Sequence, residues 1–552
     1  MTIIFGTSGN DSLVGTSSVD TIYGLSGDDQ LFGERGSDSL FGGPNQDSLR
    51  GELGNDRLYG GLAADQLLGA SGNDRLYGAS GHDRLIGGSG NDLLFGATGD
   101  DLLNGLLGSS TAYGGLGNDT FLVDDQEDRL FEATGEGVDT IISDVNFALP
   151  NSGADIFVEY LILSEDSDAE IGIGNRLTNV LRGNSGDNAL AGGSGDDLIF
   201  DGAGGDDLLY GGAGDDTLYN LNDDGNAYGG AGDDFIGSNT GSGSLYGGEG
   251  ADRVLAFGAD VSLFGGEADD TLAAIGSLGE VHGGSGADTL ESFRGDATLF
   301  GGDGDDTVIS RSGAETVLGY GGEGVDTLGG LTSGVNTLFG GINNDVVIGG
   351  TGINFASGQG GDDRLYGRRD DDSFFGGGGD DALLGSGGDD TLRGRGGEDF
   401  LRGAEGDDVL DGRDDGSAVD TLFGNSGSDR LFVGDQDGVF GGSGDDSFFF
   451  NGSENGNGAG SGGALLVDFG NGSIAGGLGE DLLVFQRGVL TGSFEYIGAD
   501  SFDASGNTQA RFAGLNQVQV DGNGDGSADI AFRIENLTSA GQLTASDFVF
   551  IV

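Results

Sequence analysis

The chain has 552 residues and a formal charge of −72, from 94 acidic residues against 22 Lys+Arg. All 22 cations are Arg, 74 of the acids are Asp (94 − 20 Glu), Gly numbers 123, and Cys and Trp are absent. The lack of Lys excludes a Schiff base or a phosphate-loop lysine, and the lack of Cys excludes disulfides, thiolate catalysis and Cys-bound zinc. A charge of this sign and size also repels nucleic acid and anionic membrane surfaces.

Taken alone, high charge and abundant Gly read as disorder. A strict period reverses that reading. From Gly6 the chain runs in nines, GTSGNDSLV, GTSSVDTIY, GLSGDDQLF and onward to GGLGNDTFL at 114–122. The sixth position is Asp11, Asp20, Asp29, Asp38, Asp47, Asp56, Asp65, Asp74, Asp83, Asp92, Asp101, then Ser110, then Asp119. The eighth is apolar throughout, as at Leu13, Ile22, Leu31 and Leu40, with Ala112 the weakest. Gly at positions one and four permits left-handed turns. A three-residue strand with one inward apolar side chain then follows. Two repeats close one coil of 18 residues, and stacked coils make two parallel sheets joined by turns on both edges. Position nine carries Tyr23, Phe32, Phe41, Tyr59, Tyr77, Phe95 and Tyr113, which predicts outward aromatic ladders. These ladders either support the sheet by self-packing or form a sticky face for assembly.

These repeats resemble the RTX (repeats-in-toxin) family, whose unit is G-G-x-G-x-D-x-U-x with U apolar. GGSGNDLLF at 87–95, GGSGDDLIF at 192–200 and GGAGDDTLY at 211–219 carry the likeness. The resemblance implies an all-β parallel β-roll, with Ca²⁺ between successive turns held by position-six carboxylates and turn carbonyls. The physics agrees. One Leu-sized side chain per repeat stabilises by about 1.5–3 kcal/mol, whereas ordering nine backbone residues costs about 1–2 kcal/mol each. Calcium, a hard ion taking six to eight oxygens in flexible geometry, suits Asp and turn carbonyls better than Mg²⁺ does.

The first roll covers 1–122. Residues 123–182 break the period; Ile141-Ile142 and Tyr160-Leu161-Ile162-Leu163 read as longer strands of a β-rich spacer continuing the solenoid. A catalytic insert is the alternative. A second roll covers 183–450. Between 211 and 309, full repeats recur every 18 residues, with Asp216, Asp234, Asp252, Asp270, Asp288 and Asp306 at position six. The intervening repeats carry Gly225, Gly243, Val261, Gly279, Ala297 and Glu315 there, which predicts calcium turns on one edge only. Full repeats resume on both edges near 358–411. By the resemblance, the remaining ligands of the second roll are Asp197, Asp207, Asp326, Asp345, Asp363, Asp372, Asp381, Asp390, Asp399, Asp408, Asp429 and Asp446.

Residues 451–464 form a Gly/Ser/Asn linker. In 465–552, LLVDFGNG, DLLVFQRG, QARFAGLNQVQV and ADIAFRIENL read as strands of a small C-terminal β domain. This part resembles the C-terminal domain of serralysin-like proteins, which implies an uncleaved signal for type I secretion ending in Asp547-Phe548-Val549-Phe550-Ile551-Val552. The start, MTIIFGTSGN, lacks the basic and long apolar stretches of an N-terminal signal. Asp521, Asn523, Asp525 and Asp529 look like part of a calcium loop, but Phe532 stands where an EF-hand needs Glu, so a calcium-assisted hairpin and a bare polar turn stay open. No H-E-x-x-H or G-x-S-x-G occurs, and His82 and His282 read as surface residues. The expectation is a secreted, non-enzymatic protein that folds on calcium outside the cell, at the surface or in the matrix. Its partners would be calcium, type I secretion machinery and a surface or matrix polysaccharide. A polysaccharide-acting enzyme with its site in 123–182 or 465–552, and an adhesin or toxin fragment, are the other readings.

Overall fold

In the computed structural model, residues 1–450 are described except 133, 134, 136, 151–156, 166, 221–223, 240, 259, 277, 312–315, 331–333, 414–417, 435, 436 and 445. Beyond 450, only the backbone of seven strands between Leu465 and Phe550 is described. The linker at 451–464 and the loop residues Asn523, Asp525 and Asp529 lie outside the described residues, as does Glu315. The chain falls into two compact halves, Met1–Gly266 and Glu267–Val552.

In the first half, successive strands alternate between two parallel sheets. Thr2–Phe5, Asp20–Tyr23, Ser39–Pro44, Arg57–Leu62, Arg75–Ser80, Leu93–Thr98, Thr111–Leu116 and Arg129–Phe131 form one eight-stranded sheet. The strands between them form the other. Register confirms the 18-residue coil: Leu49 faces Leu67, Leu67 faces Leu85, and Leu58 faces Leu76. Position eight is the core, and Leu31, Leu40, Leu49, Leu58 and Leu76 are fully buried.

Most strands run longer than three residues. Gln66–Ser71 and Arg75–Ser80 each continue through the glycine or alanine positions into the next repeat. Side chains alternate along such a strand, so once Leu at eight points inward, position six before it and position one after it point inward too. The turns then need left-handed backbone, as at Gly61 (φ 124°) and Gly72 (φ 136°).

The position-nine ladder is present. Phe5, Tyr23, Phe41, Tyr59, Tyr77, Phe95, Tyr113 and Phe131 stack with ring centroids 4.6–5.1 Å apart and planes within 11° of parallel. Each inner ring has a neighbour on both faces, as expected of rings that support the sheet. Phe32 stands on the other sheet, in register with Val14 and Arg50.

The 123–182 segment carries one sheet onward and interrupts the other. Thr120 faces Thr140, Thr140 faces Tyr160 and Tyr160 faces Val180, so coils widen to 20 residues without losing the ladder. The eight-stranded sheet instead ends at Arg129–Phe131, and a new sheet begins at Phe147–Ala148. The apolar clusters form four-residue strands, Thr140–Ser143 and Tyr160–Leu163, no longer than those of the repeats. Ser143 is buried and its hydroxyl donates to the Val145 carbonyl at 2.7 Å, which turns the chain there.

The second half repeats the plan. Leu290 faces Val308, Leu383 faces Leu401 and Leu392 faces Leu410, all in parallel pairs. Past the linker, Leu465–Asp468 pairs in parallel with Gly438–Ser443, and Leu482–Phe485 with Ser447–Phe450. Gln509–Phe512, Gln517–Asp521 and Ile530–Glu535 then form an antiparallel meander. Phe548–Phe550 pairs in parallel with Leu482–Phe485.

Candidate metal centres

Because position six points inward, its carboxylates are buried rather than displayed. Asp65 is 1% exposed. Its Oδ1 accepts the peptide N–H of Asp47, one coil earlier, at 2.7 Å. Its Oδ2 meets no hydrogen-bond donor among the described residues. A Cβ placed on Gly60 would lie 2.5 Å from that Oδ2 and 3.0 Å from the Gly78 carbonyl oxygen of the next coil. An orphaned carboxylate oxygen and a turn carbonyl thus converge beside Gly60, where a side chain would crowd both.

The arrangement recurs as rows. On one edge of the first roll the N–H to Oδ1 bonds run from Asp20 to Asp38, Asp56, Asp74 and Asp92, at 2.7–2.8 Å. Ser110 follows with its hydroxyl at 3.3 Å from the Asp92 nitrogen, and then Asp128. On the other edge they run from Asp11 to Asp29, Asp47, Asp65, Asp83, Asp101, Asp119 and Asp139, reaching Glu159 through Oε2. The first half carries a further row through Asn179, Asp197, Asp216, Asp234 and Asp252, and a short one from Asn188 to Asp207.

In the second half one row links Asp270, Asp288, Asp306, Asp326, Asp345, Asp363, Asp381, Asp399, Asp420 and Asp437. The other links Asn354, Asp372, Asp390, Asp408, Asp429 and Asp446. Among the described residues, donorless buried Oδ2 atoms include those of Asp38, Asp56, Asp74 and Asp216 in the first half and Asp306, Asp345, Asp390 and Asp429 in the second.

Burial, and then the like charges of Asp83 and Asp47, push the Asp65 carboxyl up to about 8 against the bond from the Asp47 backbone. Asp381 and Asp390 also rise to about 8, and Asp56, Asp101, Asp234, Asp306 and Asp429 to about 7, burial leading in each case. A cation seated against these oxygens would remove that penalty. The donors are all oxygen, carboxylate and carbonyl, which suits a hard divalent ion.

Not every turn has this demand. The backbone N–H and hydroxyl of Thr16 donate to Asp20 Oδ2 at 2.6 and 2.7 Å. Burial pushes the Asp20 carboxyl up, but the donors from Thr16 and Thr2 outweigh it and hold the group at about 2. Thr7 closes on Asp11 in the same way. Elsewhere Asn replaces Asp. Asn188 Oδ1 accepts the Asn184 N–H at 2.7 Å while its amide donates to Asn184 Oδ1 and the Ala169 carbonyl. Asn354 accepts the Gly350 N–H and donates to the Gly352 carbonyl at 2.7 Å. In these turns the side-chain oxygen at position six already meets a donor.

On the intervening edge between 211 and 309, the inward space of position six is filled differently. Val261 and Ala297 bury their side chains there. The Asn220 amide closes its turn on the Gly225 carbonyl, and Ser244 N–H bonds to Asn226 Oδ1 of the coil before, each at 2.8 Å.

The rows also contain residues outside the run of position-six aspartates: Asp128, Asn179, Asn188 and Asn354, which keep the count of nine, and Asp139, Glu159, Asp420 and Asp437, which do not. Each stands two residues before a buried apolar position, as Asp139 does before Ile141 and Asp420 before Leu422. That spacing, rather than the distance from the preceding glycine, survives insertions. Asp521 ends the strand Gln517–Asp521 and pairs with Gln509.

A cavity of about 190 Å³ in the 123–182 region is lined by Asp128, Arg129, Leu130, Phe131, Ile141, Phe147 and Pro150, so its lining holds one carboxylate against mostly apolar groups. His82 accepts the Asp100 N–H at 2.8 Å, and His282 lies 3.0 Å from Glu280 and stacks on Phe300.

A family model described as the RTX calcium-binding nonapeptide repeat (4 copies) matches the chain in overlapping windows over 5–130, 173–236, 246–274, 282–328 and 348–448. Together these windows cover about two thirds of its length. No curated protein matches it.

Proposed function

The chain belongs to the RTX calcium-binding nonapeptide-repeat family, and from that premise we propose that it is an exported, non-enzymatic protein that folds around calcium outside the cell and serves a structural role at the cell surface or in the matrix. The observation that carries this reading is the set of buried, donorless carboxylate oxygens facing turn carbonyls of the next coil. The ligands would be the position-six aspartates of the rows, Asp29 to Asp119 and Asp38 to Asp92 in the first roll and their counterparts in the second. Bound calcium supplies the positive charge that the rows lack, so its binding free energy becomes folding free energy.

The coupling suits export. In a low-calcium compartment the buried carboxylates oppose collapse, and a chain of net charge −72 stays extended and soluble. Calcium outside then drives the coils together. The 465–552 segment would carry the type I secretion signal, as the serralysin-like reading of its sequence implies.

Circular dichroism and sedimentation of the whole chain, in chelator and then in millimolar calcium, test the folding claim. We expect little β-signal and a large frictional ratio in chelator at neutral pH, and a cooperative gain of both β-signal and compactness with calcium. A compact, cooperatively melting fold in excess chelator overturns the reading. For export, removal of 465–552 is expected to retain the chain in its producer while the first roll still folds in calcium; normal export of the shortened chain refutes the assignment of the signal.

A further inference from the structure

The row through Asp101 and Asp119 changes character where the count of nine first fails. Glu132 stands where the preceding repeats open with glycine, and its side chain is buried, 3% exposed. Glu132 Oε1 accepts the Gly115 N–H at 3.1 Å. Its Oε2 lies over Gly114, where an added Cβ would collide with both that oxygen and Asp119 Oδ2. Asp139, the next carboxylate of the row and also buried, accepts the Asp119 N–H through Oδ1 at 2.7 Å. One oxygen from each of Asp119, Glu132 and Asp139 lies within 4.8 Å of the other two.

A separate oxygen lies against the same Gly114 peptide from the coil before. Asp101 is 3% exposed, and its Oδ2 has no donor among the described residues. A Cβ built on Gly96 would meet both that Oδ2 and, at 2.8 Å, the carbonyl oxygen of Gly114. The Gly114 peptide is therefore flanked by the orphaned Asp101 oxygen on one side and by the three-carboxylate cluster on the other.

We propose that Asp119, Glu132 and Asp139, across the Gly114 peptide from the orphaned Asp101 oxygen, form a distinct site for a hard divalent cation, calcium, of higher affinity than the repeat turns. Glu132 lies outside the nonapeptide motif and adds a carboxylate that an ordinary turn lacks. Affinity of oxygen sites for calcium rises with the charge of the ligand set. The site fills first on titration and ties the period-breaking segment to the last regular coil, where the eight-stranded sheet ends. The inference rests on the reading that the rows take up calcium.

The test uses the whole chain, stripped of calcium and titrated with the ion against a chromophoric chelator. Glu132→Gln keeps the shape and removes the charge. Glu132→Gly restores the residue found at this position in the repeats, so it removes the carboxylate without adding bulk. Both variants are expected to lose the tightest class of binding, its ion being taken up with the affinity of the ordinary turns, while the calcium-saturated circular dichroism matches the unmodified chain. Calcium uptake that is indifferent to both substitutions overturns this inference and leaves the reading of the rows standing. Absence of uptake by the unmodified chain overturns both. A crystal grown in calcium gives a second readout that does not depend on how the variants fold: an ion about 2.3–2.6 Å from a Glu132 oxygen supports the site, and density without one refutes it.

Discussion

Acid should partly replace calcium. Row carboxyls such as Asp47, Asp56, Asp65 and Asp390 sit near 6 to 8 in the folded chain, against 3.8 for an unperturbed Asp, chiefly through burial. A folded-state value above the unfolded one means that the fold binds the proton more tightly. The resulting stability is fully present below the unfolded value and is lost as pH rises through the folded one. For a group such as Asp234, raised to about 7, the shift is roughly three units, or about 4 kcal/mol at ~1.4 kcal/mol per unit. Domains are stable by only about 5–15 kcal/mol in total, so a few such groups left charged suffice to unfold a roll. In chelator, moving from about pH 7.5 to about pH 5 should therefore raise β-signal and compactness reversibly.

Two controls separate this from general charge repulsion. Salt at about 0.5 M shortens the screening length to a few ångströms and relieves surface repulsion, yet it leaves buried carboxylates ionised. If salt at neutral pH restores as much structure as acid does, the buried rows are not the cause. Calcium added at about pH 6.5 should also release protons, because the ion competes with them for the same oxygens. A chelated chain whose structure is independent of pH across this range, or calcium binding without proton release, would refute the reasoning. Asp20 has the opposite sign: held at about 2 by Thr16 and Thr2, it stabilises its turn above 3.8 and loses that contribution as pH falls toward 2.

Three further outcomes follow from single residues. Leu58→Ala empties a fully buried core position and should cost about 2–5 kcal/mol, read as a higher calcium midpoint for folding. Gly60→Ala should destabilise the calcium-loaded roll, since the new Cβ meets Asp65 Oδ2 and the Gly78 carbonyl; an unchanged melting temperature in calcium would show that the turn yields. Asn354→Asp removes the amide that donates to Gly352 and to Asp372 Oδ1. It sets two carboxylates together and should cost roughly 1–3 kcal/mol in chelator at mildly acid pH, measured by urea unfolding.

The period, the 18-residue coil and the inward apolar ladder were legible because each depends on one residue type recurring at one spacing. The burial of position six was legible in principle. Leu at eight fixes the phase, and strand alternation then turns Asp at six inward, but a strand read as only three residues long stops short of position six. The residues that give the position-six oxygen a donor were harder to read. Thr16 and Asn188 look like ordinary turn residues until the bonds to Asp20 and Asn184 are seen. Insertions hid Asp139 and Asp420, and a one-residue deletion hid Asp437, because the start of the count moves while the apolar position two residues on does not. Glu132 gave no signal as a ligand, since a lone Glu where glycine is usual reads as a lapse in the repeat.

The link between positions one and six bears on where the ions sit. In full repeats position one is glycine because a Cβ there strikes the Oδ2 of the position-six Asp, as at Gly211 against Asp216 and Gly301 against Asp306. Where position six carries no Asp, that restriction lifts. The intervening repeats between 211 and 309 open with Asn220, Ser238 and Ala256 in the first half and Ala274 and Ser292 in the second, all buried. These side chains occupy the room that a carboxylate and its ion would need, so their edge cannot take up calcium without displacing them. Within each half, the Asp edge should therefore hold a row of ions while the opposite edge holds none. Hydrogen exchange in saturating calcium should show faster exchange at Gly243–Ser244 than at Asp234–Phe235, and faster at Asp296–Ala297 than at Asp306–Thr307. A calcium-loaded crystal with ions on both edges of this stretch would show that the side chain at position one does not decide occupancy.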